Sequence, residues 1–167
     1  MSVKALSDYT FYAKYANYLP GEQRRETWNE AVSRVFDMHR TKYKDILENN
    51  EELEKEFQFA ERQVKKKRVL GAQRALQYGG EHILKRNERI YNCSSLLIDK
   101  PFSFQQVTWL LLAGCGVGFS VQKHHIEKLP EVEYVKNKPK KTFHIPDTCE
   151  GWADAVGVLM ASYFVDG

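Results

Sequence analysis

The sequence predicts a mainly helical α/β chain, with helices up to about residue 90 and the first strand at 91 to 99. Three observations carry this. Apolar residues recur at helical spacing through "TWNEAVSRVFDMH" and again through "LEKEFQFAERQV". "YNCSSLLID" is a short run bounded by polar residues, as a buried strand is. After the helical pattern of "GWADAVGVLMASYF" no closing strand follows, so the chain reads as the front part of a larger α/β body.

The elements follow in order. "SDYTFYAKYANYLPGEQ" is aromatic-rich and is expected to be irregular, laid across a larger body. From Arg24 the pattern turns helical, with Trp28, Val32, Val35, Phe36 and His39 on one stripe. "ENNEELEKEFQFAERQVKKKRVL" begins acidic and ends basic, which suits a helix dipole; Leu53, Phe57, Ala60 and Val64 form its stripe. "GAQRALQYGGEHILKRNERI" predicts a short helix stopped by Gly79 and Gly80, then a loop. Past the strand, Ser103 and Gln106 have the spacing of a capping box for a buried helix, "FQQVTWLLLAG". "EVEYV" and "KTFHIP" alternate around the basic turn "KNKPKK" and predict a hairpin. Asp147 and Glu150 predict a second capped start, with Trp152, Val156, Leu159, Met160 and Tyr163 along one helix face.

At 167 residues the chain can hold a real core. A formal charge of +3 suits an anionic small ligand and is too weak to argue for nucleic acid. Three cysteines without a CxxC pair argue against a zinc site or a disulfide framework, so no metal ligand set is expected. The longest apolar stretch, "VTWLLLAGCGVGF", is broken by glycines, and no membrane span is expected. "MSVKALSDYTFYAKY" has no signal-peptide core, which with the free thiols predicts a reducing, cytoplasmic setting.

Candidate chemistry is sparse. "GCGVGF" fails as a dinucleotide fingerprint, because its glycines follow a helix and not a strand. A helix cap with close backbone packing and a ligand-contacting loop both stay open for it. His124 and His125 are adjacent, so they are expected to point apart and not to share a metal. "VKKKR" reads as a solvated helix end before it reads as a phosphate site. Cys93 is either a small buried core residue or a redox thiol, and periodicity does not choose.

Four blocks change that balance: "RRETWNEAVSRVFDMH", "VLGAQRALQYGGEHILKRNERIYNC", "WLLLAGCGVGFSVQKHHIEKLP" and "FHIPDTCEGWADAVGVLMASYF". In this order they resemble the N-terminal part of adenosylcobalamin-dependent (class II) ribonucleotide reductases. The similarity runs from about residue 9 to the end. It is strongest to the single-chain type that reduces ribonucleoside triphosphates. The resemblance implies a helical N-terminal region, 1–90, leading into the start of a ten-stranded α/β barrel, 91–167, that is incomplete here. It implies that Cys93 is the first-strand member of a redox cysteine pair whose partner lies on a later strand, absent from this chain. The radical cysteine, asparagine and glutamate of the family would be absent too. Cys115, in the glycine-rich loop, and Cys149, at a helix start, do not replace them.

The resemblance further implies substrate contacts from Gln77, Gly79, Gly80, Asn92, Gly116 and Gly118, and weaker effector contacts from Asp99 and Lys123. Implied with them are adenosylcobalamin, a ribonucleotide substrate, a deoxynucleotide effector, a thioredoxin-like reductant and the C-terminal remainder of the enzyme. No direct nucleic-acid contact is implied. No room precedes residue 9 for an ATP-binding cone, so overall on/off control is not expected from this end. Three alternatives stand beside this reading: a non-catalytic nucleotide-binding fragment, part of a dimeric diphosphate reductase, and a basic nucleic-acid protein built around Val64 to Arg68.

Overall fold

The structure, a computed structural model, describes residues 2–132 and 141–164. It contains two compact units, Met1–Ile90 and Tyr91–Gly167.

The first unit is helical. Ser2 caps α1 (Val3–Lys14) by accepting from the Ala5 amide at 3.2 Å, so the aromatic opening is a helix and not the irregular segment expected. Only Phe11 on this helix is buried, so no repeating apolar stripe marks its period. A small antiparallel ladder follows, β1 (Tyr18–Leu19) with β2 (Arg24–Arg25). Helix α2 (Trp28–Lys42) therefore starts four residues later than the expected Arg24. Thr27 and Glu30 set that start as a reciprocal capping box, with the Thr27 amide donating to Glu30 at 2.7 Å.

Next come α3 (Lys44–Glu48), α4 (Glu51–Lys65), α5 (Gln73–Tyr78) and α6 (Glu81–Lys85). A 3-10 turn at Asn87–Ile90 ends the unit. The expected loop after Gly80 is thus largely helical. Phe11, Ala16, Ala31, Val32 and Leu76 form the core, with Tyr15, Trp28, Val35, Phe36 and Val64 packed around it. The indole of Trp28 donates to the Val64 and Lys65 carbonyls at 3.2 and 3.1 Å, satisfying the end of α4. Of the stripe expected on α4, Ala60 is exposed, while Leu53, Phe57 and Val64 are half-buried. Glu61 links the helices α2 and α4, accepting from Arg40 at 2.7 Å and from Ser33 at 3.2 Å.

His39 is half-buried, stacked beside Tyr43 and edge-on to Phe57. Burial pushes its pKa below the ordinary 6.5. The unfolded chain then takes up the proton at a higher pH than the folded chain does. Stability from neutral His39 is complete above the ordinary value and is lost as pH falls below it. Burial pushes Glu61 up, but hydrogen bonds from Lys65 and Arg40 outweigh it and hold it below 4.5, so its contribution fades only in stronger acid. The urea midpoint is expected to fall from about pH 8 to about pH 5, and His39→Gln to flatten that slope. An unchanged slope in the variant would assign the loss elsewhere.

In the second unit, β3 (Cys93–Leu97) and β4 (Gly116–Ser120) pair in parallel, with Cys93 opposite Gly116 and Leu97 opposite Ser120. Helix α7 (Phe102–Leu112) connects them and packs on both strands and on α9 (Cys149–Ala161). The glycine-rich passage, expected to be a loop, is largely this second strand. Before it, Gly114 takes φ 84°, its amide donates to Leu111 O, and the Cys115 amide donates to Leu110 O. That is a Schellman end for α7, so the cap part of the reading of "GCGVGF" holds.

Both expected capping boxes shift. Ser103 lies inside α7, buried, and makes no cap hydrogen bond. Thr148 caps α9 by accepting from the Gly151 amide at 2.9 Å, while Asp147 accepts from the Trp152 indole. The stripe on α9 differs too. Ala153 is buried and Gly157 lies against Gln105, whereas Trp152, Leu159 and Tyr163 are exposed. Half of the hairpin expected over 131–146, residues 133–140, lies outside the described residues. Within them, 141–146 is not strand, and Val132 instead bridges Phe164. Helix α8 (Lys123–Ile126) follows β4. Among the described residues no helix is long and apolar enough to cross a membrane.

Candidate active site

Residues alternate between the two faces of a strand, and registered partners share a face. Cys93, Ser95 and Leu97 therefore stand with Gly116, Gly118 and Ser120 on one face. Ser94, Leu96, Val117 and Phe119 stand on the other. Leu96 and α7 line a mostly apolar cleft of about 410 Å³ on that second face, together with Ala153 and Asp154. Cys115 is buried, its thiol 3.5 Å from Ser94 Oγ.

The first face is open. Cys93, Ser95, Leu97, Gly116 and Gly118 are all exposed. A Cβ added at Gly116 would stand 3.7 Å from Cys93 Sγ and 3.6 Å from the Asn92 carbonyl oxygen. The missing side chain thus uncovers the thiol from the neighbouring strand. Asn92 is exposed beside it, and its carbonyl accepts from the Gly116 amide at 2.8 Å. Of the three free cysteines, Cys93 is the exposed one, Cys115 is buried and Cys149, the first residue of α9, is intermediate.

Because 3.7 Å is ordinary van der Waals contact, Gly116→Ala is expected to fold normally. It should still slow modification of Cys93 by a bulky aromatic disulfide more than by a small alkyl thiosulfonate, read at Cys93 by peptide mapping. Equal slowing of both reagents would show that the glycine does not govern access.

Asp99 and Lys123 lie past the C-terminal ends of β3 and β4, ends that are themselves roughly 13 Å along the strands from Cys93. Asp99 is half-buried. Lys123 is exposed and pairs with Glu127 at 3.5 Å. Nearby, His124 and His125 do not point apart as expected, their ring centroids being 4.0 Å apart. Burial, then the charges of His124 and Lys128, push His125 down, and its Nδ1 is 3.0 Å from Ser120 Oγ. Among the described residues no group of three His, Cys, Asp or Glu is placed to hold a metal.

In the first unit, Gln77 is exposed at the end of α5. Gly79 is buried; its amide donates to Ala75 O and its carbonyl accepts from Arg34 at 2.7 Å. Gly80 has φ 102° and ψ −147°, a conformation that only glycine adopts without strain. Sequence reasoning missed Arg34 and its partner Glu26. Nothing in their spacing marks them, because they meet through the fold, across eight residues and a change from strand to helix.

No family model matches the chain. It is 27% identical, over 221 aligned residues, to the adenosylcobalamin-dependent ribonucleoside-triphosphate reductase of Lactobacillus helveticus (strain DPC 4571). That match covers 94% of this chain and 29% of the relative. Among solved structures, a B-12 dependent (class II) ribonucleotide reductase superposes with a TM-score of 0.79 at 21% identity, over 95% of this chain and 30% of the other. The chain thus spans under a third of the length of either relative. In sequence and in fold, over almost its whole length, the chain is similar to part of an adenosylcobalamin-dependent, class II ribonucleotide reductase.

Proposed function

We propose that the chain supplies the first strand and one redox thiol of a ribonucleoside-triphosphate reductase that makes deoxyribonucleotides. The observation that carries this is the Cys93–Gly116 pair: an exposed thiol at a strand start, bared by a glycine on the neighbouring strand. A parallel sheet is normally covered on both faces. This one has two strands and one bare face, which suits a sheet continued by further barrel strands.

The chemistry needs two thiols. As the ribose C2′–O bond breaks, the hydroxyl leaves as water. Two thiols give two electrons and two protons, a C–H bond forms at C2′, and an S–S bond joins the sulfurs. Cys93 is one of the two; the other belongs to a later strand. A thioredoxin-like protein then restores the pair by thiol–disulfide exchange. Asn92, Gly116 and Gly118 border the substrate, and the Gln77–Gly80 turn contributes further contacts. Asp99 and Lys123, at the other end of the strands, answer to a nucleotide effector.

Adenosylcobalamin enters this proposal through the relatives. The described residues offer no recognisable seat for a corrin ring, and no step above runs through it. When bound to the whole enzyme it would supply radical generation.

The test is reconstitution. Neither this chain nor a second chain carrying the later barrel strands should reduce ribonucleoside triphosphates with adenosylcobalamin and a reductant. Their mixture should. Turnover by this chain alone, or an inactive mixture that nonetheless forms a stable complex, would overturn the proposal.

A further inference from the structure

Resting on the substrate role given above to the Gln77–Gly80 turn, we propose that Arg34 is its positioning residue, holding the turn so that it presents its contacts to the ribonucleotide. Arg34 is largely buried on α2, with 15% of its side chain exposed, and all three of its guanidinium nitrogens donate hydrogen bonds. Nε and Nη2 donate to the two oxygens of Glu26 at 2.8 and 3.0 Å. Nη1 donates to the Gly79 carbonyl at 2.7 Å, and Nη2 to the Leu76 carbonyl at 2.9 Å. A longer contact reaches the Tyr15 carbonyl at 3.4 Å. Glu26 is itself anchored, accepting from the Asn17 amide at 3.0 Å.

The geometry runs in one direction. The Asn17 amide fixes the carboxylate, the carboxylate fixes the guanidinium plane, and the guanidinium fixes two carbonyls that flank Gln77 and Tyr78. The last carbonyls of a helix lack partners within it, so these bonds also finish α5. The turn lies tightly on α2: a Cβ at Gly79 would stand 3.0 Å from Val35 Cγ2 and 3.3 Å from Arg34 Nη1. From there the Gly80 carbonyl accepts the Leu84 amide at 3.1 Å and opens α6. A planar fork with five donors sets both distance and orientation, whereas a lysine ammonium sets only a charge. Burying such a fork is a costly way to gain stability alone, since apolar residues often do as well.

The test is Arg34→Lys, which keeps the charge beside Glu26 and loses the fork. In the reconstituted reductase, KM for the ribonucleotide should rise about tenfold, equivalent to roughly 1.4 kcal/mol of binding, with kcat little changed. A lower unfolding midpoint with KM unchanged would make Arg34 merely structural and overturn the proposal. If the wild-type mixture shows no turnover, the functional reading has failed, and amide exchange on the 167-residue chain decides the rest. Faster exchange at Gly79 and Leu84, with α4 unaffected, is the expected result. Equal protection in both proteins would show that Arg34 does not position the turn.

Discussion

Cys93→Ser is expected to abolish thioredoxin-dependent turnover of the proposed reconstituted reductase and to leave the fold of this chain unchanged. A serine hydroxyl is close in size to a thiol, and the position is exposed, so no cavity or buried polar atom results. The β3–β4 ladder uses backbone groups, which the substitution does not touch. The chemistry, however, loses one of its two electron donors. An alcohol cannot form the disulfide, so the two-electron reduction has no closed balance. The measurement is product per enzyme with adenosylcobalamin, thioredoxin and its reductase, beside a thermal melt of the variant. Cys115→Ser and Cys149→Ser serve as controls. Both should retain turnover, Cys115 because its thiol is buried toward Ser94 on the opposite face, Cys149 because it only opens α9. Full turnover of Cys93→Ser would remove the redox role and leave Cys93 a plain strand residue.

The largest stability effect belongs to Glu26. Its side chain is 6% exposed, and it is the counter-charge of a guanidinium that is itself mostly buried. Glu26→Ala strands that cation and also removes the acceptor of the Asn17 amide. Breaking one side of a buried pair costs about 3–5 kcal/mol, a large share of the stability of an ordinary domain. By contrast, Glu51→Ala breaks an ion pair with Lys55 whose side chains are 84% and 70% exposed, and should cost well under 1 kcal/mol. Urea unfolding would read both as midpoint shifts at constant slope. Replacing Glu26 and Arg34 together with methionine should cost much less than Glu26→Ala alone, because no charge is then left unpaired. If the double variant is the less stable of the two, the buried pair is worth more than its desolvation.

Residues of this chain carry two kinds of signal, local pattern and long-range contact. The period of α2 and the charge gradient of α4 are local, and both helices form where those patterns lie. The α1 helix is hidden because only Phe11 on it is buried and no apolar stripe repeats along it. "GVGFS" was hidden for a different reason. Glycine has little strand preference, and this segment becomes a strand because its backbone groups pair with β3 across an intervening helix. The stripe expected on α9 is exposed because small residues, Ala153 and Gly157, let the helix approach α7, and the larger Trp152 and Leu159 turn outward.

By itself the sequence determined the helices α2 and α4, the strand at Cys93 and the likeness to class II reductases. These rest on side-chain pattern and on residue order, which a linear chain displays in full. Only the tertiary structure decided which thiol is open, which glycine bares it and which arginine holds the Gln77–Gly80 turn. Those facts are distances between residues far apart in the chain, such as Cys93 and Gly116 or Arg34 and Gly79, and no local preference encodes them. "YNCSSLLID" shows the division plainly: order and resemblance single out its cysteine, and the register of β4 leaves that cysteine free to react.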